Sequence, residues 1–151
     1  MTDPILVSAC LLGVSCRYDG TSKPSPRVIS HLEGKTYIAV CPEEAGGLST
    51  PRPPCVLTGG DGRDVLTGRA RLVDSHGIDR TAAFIVGAET AAAHALTTGA
   101  SFAILKERSP SCGIHRVTVE KGNGPEETRG MGVTAALLVS HGIRVISEEE
   151  V

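Results

Sequence analysis

Apolar positions along this chain fall into two kinds of segment, short near-continuous runs and longer runs with helical spacing. Residues 5–9, 36–40 and 101–105 are runs of the first kind and predict buried strands; 143–146 closes the chain as a fourth. Residues 116–119 alternate apolar and polar, as a strand with one wet face does. Residues 27–32 predict a short helix stopped by Gly34, and 78–96 a longer one, rich in alanine, with Gly99 at its C-terminal cap. Residues 133–140 predict a helix opened by Gly132. Residues 41–68, with Gly46-Gly47, Pro51, Pro53-Pro54 and Gly59-Gly60, predict a long loop, and 122–130 a polar, glycine-rich one. Residues 65–73 predict a hairpin arm or edge strand, and Glu148-Glu149-Glu150 a solvated tail. Short strands alternating with helices predict an α/β fold, a mostly parallel sheet with helices on both faces, as a single domain over 1–151. Ligands of such sheets bind at the carboxyl ends of the strands.

Composition narrows the function. The chain of 151 residues is 40% apolar but has no Trp, two Tyr and two Phe, so its core is aliphatic and it lacks an aromatic platform for single-stranded nucleic acid. Fifteen basic against seventeen acidic residues give a net charge of −2, which argues against broad binding to RNA or to an anionic membrane. The longest apolar stretch, 5–14, is about half a membrane span. The Leu6-Val7-Ser8-Ala9-Cys10 run is not read as a lipoprotein box, because it starts too early and follows Asp3 instead of a basic region. Five cysteines, an odd number without a signal peptide, predict free thiols in a reducing cytoplasm.

Three of those cysteines stand at equivalent places. Cys10, Cys41 and Cys112 each fall at or shortly after the C-terminal end of a predicted buried strand, so a parallel sheet brings them to one rim. Each is flanked by turn chemistry: Gly13, Pro42, and Pro110 with Gly113. The plainer alternative is that each is a small buried residue. The paired spacings of zinc ribbons are absent, so structural zinc is the weaker metal. Iron–sulfur clusters normally take four thiolates, and three would leave one iron open.

Taken together, Ser8-Ala9-Cys10-Leu11-Leu12-Gly13, Cys16-Arg17-Tyr18-Asp19-Gly20, Cys41-Pro42-Glu43, Gly46-Gly47-Leu48 with Pro51-Arg52, Ile104-Leu105-Lys106, Ser109-Pro110-Ser111-Cys112-Gly113 and Gly132-Val133-Thr134-Ala135 resemble the thiouracil desulfidase family in order and over nearly the whole chain. The resemblance implies a [4Fe-4S] cluster held by Cys10, Cys41 and Cys112, with Glu43 and Ser109 as catalytic residues and Lys106 and Ser111 at the substrate. The implied reaction removes sulfur from a small thiopyrimidine by hydrolysis, without net redox, and RNA is the less expected substrate. Glu43 is then the general base. Its alternative is a solvated carboxylate, and that of Ser109 is an N-cap on the turn carrying Cys112. Cys16 is a fourth ligand or a spare thiol, with the spare thiol favoured, and Cys55 is expected to be simply buried. Arg17, Lys23, Arg52, Lys106 and Arg108 gather in the motif loops and predict a positive rim; among the histidines only His115 stands near a motif cysteine. Gly130-Met131-Gly132 reads equally as an anion site or a tight packing turn. Two rival functions remain: sulfur transfer through a persulfide on Cys10 or Cys112, and a non-catalytic metal- or nucleotide-binding module.

Overall fold

The computed structural model describes residues 3–151. Strand β1 (Ile5–Ser8) is buried at every position and lies inside a sheet ordered β2-β1-β5-β8, with β2 (Tyr37–Val40), β5 (Phe102–Leu105) and β8 (Arg144–Ser147). All its pairings are parallel, with Val7 opposite both Ala39 and Ile104. Alternation sends Leu6, Ala103 and Leu105 to one face, where they meet Ala91, Ala92 and Ala95 of α4 (Thr81–Thr98) and Leu138 of α5 (Val133–Ser140). Ile5, Val7 and Ile104 face the other way, onto Val28 of α1 (Pro26–His31), Leu32 and Leu11. Helices therefore cover both faces of this parallel sheet, as the pattern predicts.

A second sheet lies outside that expectation. Its order is β4-β3-β6-β7, with β3 (Cys55–Thr58), β4 (Arg71–Asp74), β6 (Arg116–Glu120) and β7 (Pro125–Arg129). Only the β3–β6 pairing is parallel. Phe84 and Ala88 of α4 pack on this sheet through Leu57, Leu72 and Val117, so the one long helix braces both sheets.

The predicted loop 41–68 in fact holds α2 (Pro42–Ala45), β3 and α3 (Gly62–Leu66). Pieces of four or five residues are too short to show a period, β3 being set between Pro53-Pro54 and Gly59-Gly60, and Asp61, which reads as a turn residue, caps α3 with Asp64 in a reciprocal box. The predicted loop 122–130 holds β7, an edge strand of polar side chains formed only because β6 offers it a ladder. The span 65–73 divides between the end of α3 and β4, which is indeed an edge strand. The acidic tail is a 3-10 turn, Glu148–Glu150, whose carboxylates reach back into the fold. Among the described residues no helix is long and apolar enough to cross a membrane.

Candidate functional site

Three neighbouring parallel strands end on the same edge of the first sheet, and each is followed by a cysteine. After β1 the chain tightens into a 3-10 turn, Ala9–Leu12, which carries Cys10 and closes at Gly13 in the left-handed region (φ 96°). After β2, Cys41 occupies the N-cap of α2, with Pro42 starting the helix and Glu43 in its first turn. After β5 the loop from Lys106 to Gly113 carries Ser109 and Cys112. Cys10, Cys41, Cys112, Glu43, Ser109 and Lys106 all line one cavity of about 430 Å³, joined by Cys16 and Arg52.

The Cys112 loop is held from below by a buried carboxylate. Glu107, 2% exposed, accepts through Oε1 from the backbone N–H groups of Arg108 (3.3 Å), Ile114 (2.9 Å), His115 (3.0 Å) and Arg116 (3.0 Å). Arg108 thereby keeps a left-handed backbone (φ 69°) that a non-glycine residue seldom adopts. Burial pushes the Glu107 carboxyl up, but the bonds from Arg116, His115, Ile114 and Arg108 outweigh it and hold it below the usual carboxylate value. Its other oxygen, Oε2, is sealed from solvent without a partner among the described residues. Glu148 completes the support, accepting from the Glu107 N–H at 2.7 Å and pairing with Lys106 Nζ at 3.1 Å. The loop in turn caps α5: Pro110 and Ser111 carbonyls accept from Val133, Thr134 and Ala135. This close approach needs Gly132, where a Cβ would stand 2.4 Å from the Ser111 carbonyl carbon, so Gly130-Met131-Gly132 is a packing turn.

Ser109 does cap its turn, its Oγ accepting from Ser111 N (3.1 Å) and Cys112 N (3.0 Å), while the hydroxyl proton stays available to the cavity. Ser111 is not on the cavity wall. It is 1% exposed and shares its hydroxyl with Thr134 Oγ1 at 2.7 Å, so this side chain, expected at the substrate, does not line the cavity. It stands behind Cys112 instead, where hydrogen bonds from Ser8 and Ser111 partly offset the burial that pushes this thiol up to about 12. Cys41 is also raised, by its hydrogen bond with Cys16 and by burial, against an opposing bond from the Glu44 N–H. The Glu44 N–H and the Ser8 and Ser111 hydroxyls thus favour the thiolate form at two of the three sulfurs.

Glu43 is neither solvated nor free. Its Oε1 takes Arg52 Nε at 3.0 Å, with the two side chains 16% and 5% exposed. Burial raises its carboxyl above the usual value, and the Arg52 charge and hydrogen bond restrain the rise. Arg52 is itself fixed, donating to Cys16 O (2.9 Å), Ser49 O (3.1 Å) and Thr50 Oγ1 (2.9 Å). All five rim cations line the cavity, but Lys106 and Arg108 are committed to Glu148 and Glu149 as Arg52 is to Glu43. His115 is exposed and bonded to Glu150, and Cys55, expected to be buried, is half-buried on β3 and does not line the cavity. Glu107 and Glu148 were not legible as site residues: both sit in charged runs that read as solvated surface.

Among the described residues no three His, Cys, Asp or Glu side chains converge tightly enough for one metal ion. Three thiols spread around a cavity suit a multi-iron cluster, in which each cysteine takes a different iron. The donor set is sulfur, with no imidazole on the wall, which favours soft metal chemistry.

Comparison with known proteins gives a concordant picture. A family model described as 2-thiouracil desulfurase matches residues 5–150. A Bacillus subtilis (strain 168) protein named "Uncharacterized protein YbbK" is 46% identical over 146 residues, covering 97% of this chain and 96% of that one. A solved structure described as "[4Fe-4S]-dependent thiouracil desulfidase TudS" superposes with a TM-score of 0.84 at 44% identity, covering 99% of this chain and 93% of that one.

Proposed function

The chain belongs to the 2-thiouracil desulfurase family, and from that premise we propose that it is a [4Fe-4S]-dependent thiouracil desulfidase that releases sulfide by hydrolysis. The observation that carries the reading is a single cavity lined by Cys10, Cys41 and Cys112 with a buried Glu43 beside them. These three thiols are the cluster ligands in this reading. A cluster so held supplies one iron with an open position, a soft Lewis acid suited to a thiocarbonyl sulfur.

The protein's own groups do the rest. Glu43, held by Arg52 on one oxygen, keeps the other for a water at the ring carbon that bears sulfur, and takes its proton as the C–O bond forms. The raised carboxyl suits this task, since a stronger base is more effective once ionised. Ser109, its oxygen occupied by two backbone donors, presents its proton to the ring or to the attacking water. Lys106 has two of its three N–H groups committed to Glu107 O and Glu148, leaving one for a ring carbonyl. Arg17 and Lys23, which line the cavity without a carboxylate partner among the described residues, favour departure of anionic sulfide toward the mouth.

The substrate of this reading is the free thiopyrimidine, because the chain offers neither an aromatic surface nor a net positive charge for RNA. Five free cysteines suit a reducing cytoplasm. The persulfide alternative calls for one essential cysteine, whereas three motif cysteines line this cavity beside Glu43.

The test is turnover in ¹⁸O-water by anaerobically reconstituted protein. Hydrolysis places one ¹⁸O in the uracil formed and releases one sulfide with no reductant consumed. Turnover that needs an electron donor, or that proceeds equally without iron, overturns it. Comparing free 4-thiouracil with 4-thiouridine in tRNA tests the substrate, and a preference for RNA reverses that assignment.

A further inference from the structure

Cys16 is the one cavity thiol without a part in desulfidation. Its surroundings are built, not incidental. Backbone bonds from Gly13 and Lys23 to Cys10 O, and from Val14 to Ala9 O, fold the following turn back over Cys10. Arg52 pins the Cys16 carbonyl at 2.9 Å, and Cys41 Sγ lies 3.7 Å from that same carbonyl. The Cys16 side chain, 2% exposed, lines the same cavity as Cys10 and Cys41 and packs in one apolar cluster with them. A thiol on the same wall as two ligands, with Cys41 Sγ already against its own carbonyl, is placed to pair with either.

We propose that Cys16 is a resolving thiol, which closes a reversible disulfide with Cys10 or Cys41 when hydrogen peroxide reaches the site after the cluster is lost. The inference rests on the reading of Cys10 and Cys41 as cluster ligands. One thiol of the pair attacks the peroxide, the O–O bond breaks, and a sulfenic acid and one water form. The second thiol displaces the hydroxyl as another water while the S–S bond forms. Two sulfurs together lose two electrons, the two peroxide oxygens gain them, and both thiol protons leave in water. The disulfide withholds a ligand from iron and shields its sulfur from irreversible sulfinic oxidation until a thiol reductant reopens it.

The experiment treats the reconstituted full chain, and separately the metal-free chain, with stoichiometric hydrogen peroxide. Remaining thiols are alkylated and the peptides mapped by mass. The expected result is a loss of about 2 Da with a linked peptide containing Cys16 and either Cys10 or Cys41. Iron reloading is then roughly ten-fold lower without dithiothreitol than with it. Cys16→Ser gives no such linkage, and with excess hydrogen peroxide its Cys10 and Cys41 run on to sulfinic acid. Absence of a Cys16 linkage in the wild type overturns the proposal, as does a Cys10–Cys41 linkage of equal yield in wild type and Cys16→Ser. If the wild type binds no iron the desulfidase reading fails, while the metal-free chain still reports whether Cys16 pairs.

Discussion

Arg52 Nε lies 3.0 Å from Glu43 Oε1, and this contact bears on the ionisation of a carboxylate that lines the cavity beside the three cysteines. Burial raises Glu43 and Arg52 restrains the rise, so the two residues act as one unit. A base works only when deprotonated, so activity climbs as pH rises through the Glu43 value. Arg52→Gln removes the restraining charge, raises Glu43 further, and moves the acid limb of the kcat/KM profile to higher pH. Glu43→Gln abolishes that limb and lowers turnover by about 100-fold or more with the visible spectrum intact. An unmoved limb in Arg52→Gln contradicts the coupling.

Glu107 organises the Cys112 loop through four backbone donors on one oxygen. Glu107→Ala leaves those donors unsatisfied and costs about 3 kcal/mol or more in denaturant unfolding. Glu107→Gln retains a carbonyl for the same bonds and costs less, although its amide N–H₂ must enter the sealed place of Oε2. The folded carboxyl is held below its usual value. Its stabilisation is therefore complete above the unfolded pKa and is lost as pH falls through the folded one, so the gap between wild type and Glu107→Ala narrows in acid. A gap that widens in acid contradicts this.

The α2–α4 contact tests how precisely Glu43 must sit. Gly87 of α4 and Gly46 after α2 meet so closely that a Cβ at Gly87 would stand 1.9 Å from Pro42 O, and one at Gly46 2.0 Å from Ala83 O. In an exposed helix Gly→Ala stabilises by roughly 0.5–1 kcal/mol. Here the clash reverses the sign: Gly87→Ala destabilises by about 1–3 kcal/mol and depresses activity by shifting the turn that carries Cys41 and Glu43. A raised melting temperature with full activity contradicts the contact.

The parallel sheet and its rim were legible because β1, β2 and β5 are short apolar runs each followed by a turn and a cysteine. The second sheet was not, because β3 is four residues between prolines and glycines and β7 has no apolar residue facing a core. In the site, residue types were readable and pairings were not. Arg52 counted only as one positive charge of a rim, although it is the partner of Glu43 nine residues away. Ser111 shared a motif with Cys112, but nothing in the motif tells which hydroxyl faces the cavity and which turns to Thr134. The terminal glutamates looked solvated because their partners, Lys106, Arg108 and the Glu107 N–H, lie some forty residues earlier.

The most direct test of the central claim is iron and acid-labile sulfide per folded chain after anaerobic reconstitution, for the wild type and for Cys10→Ala, Cys41→Ala and Cys112→Ala. The account predicts about four irons and four sulfides in the wild type and loss of both in each variant. A folded wild type that binds no iron, or variants that keep the full complement, would contradict it.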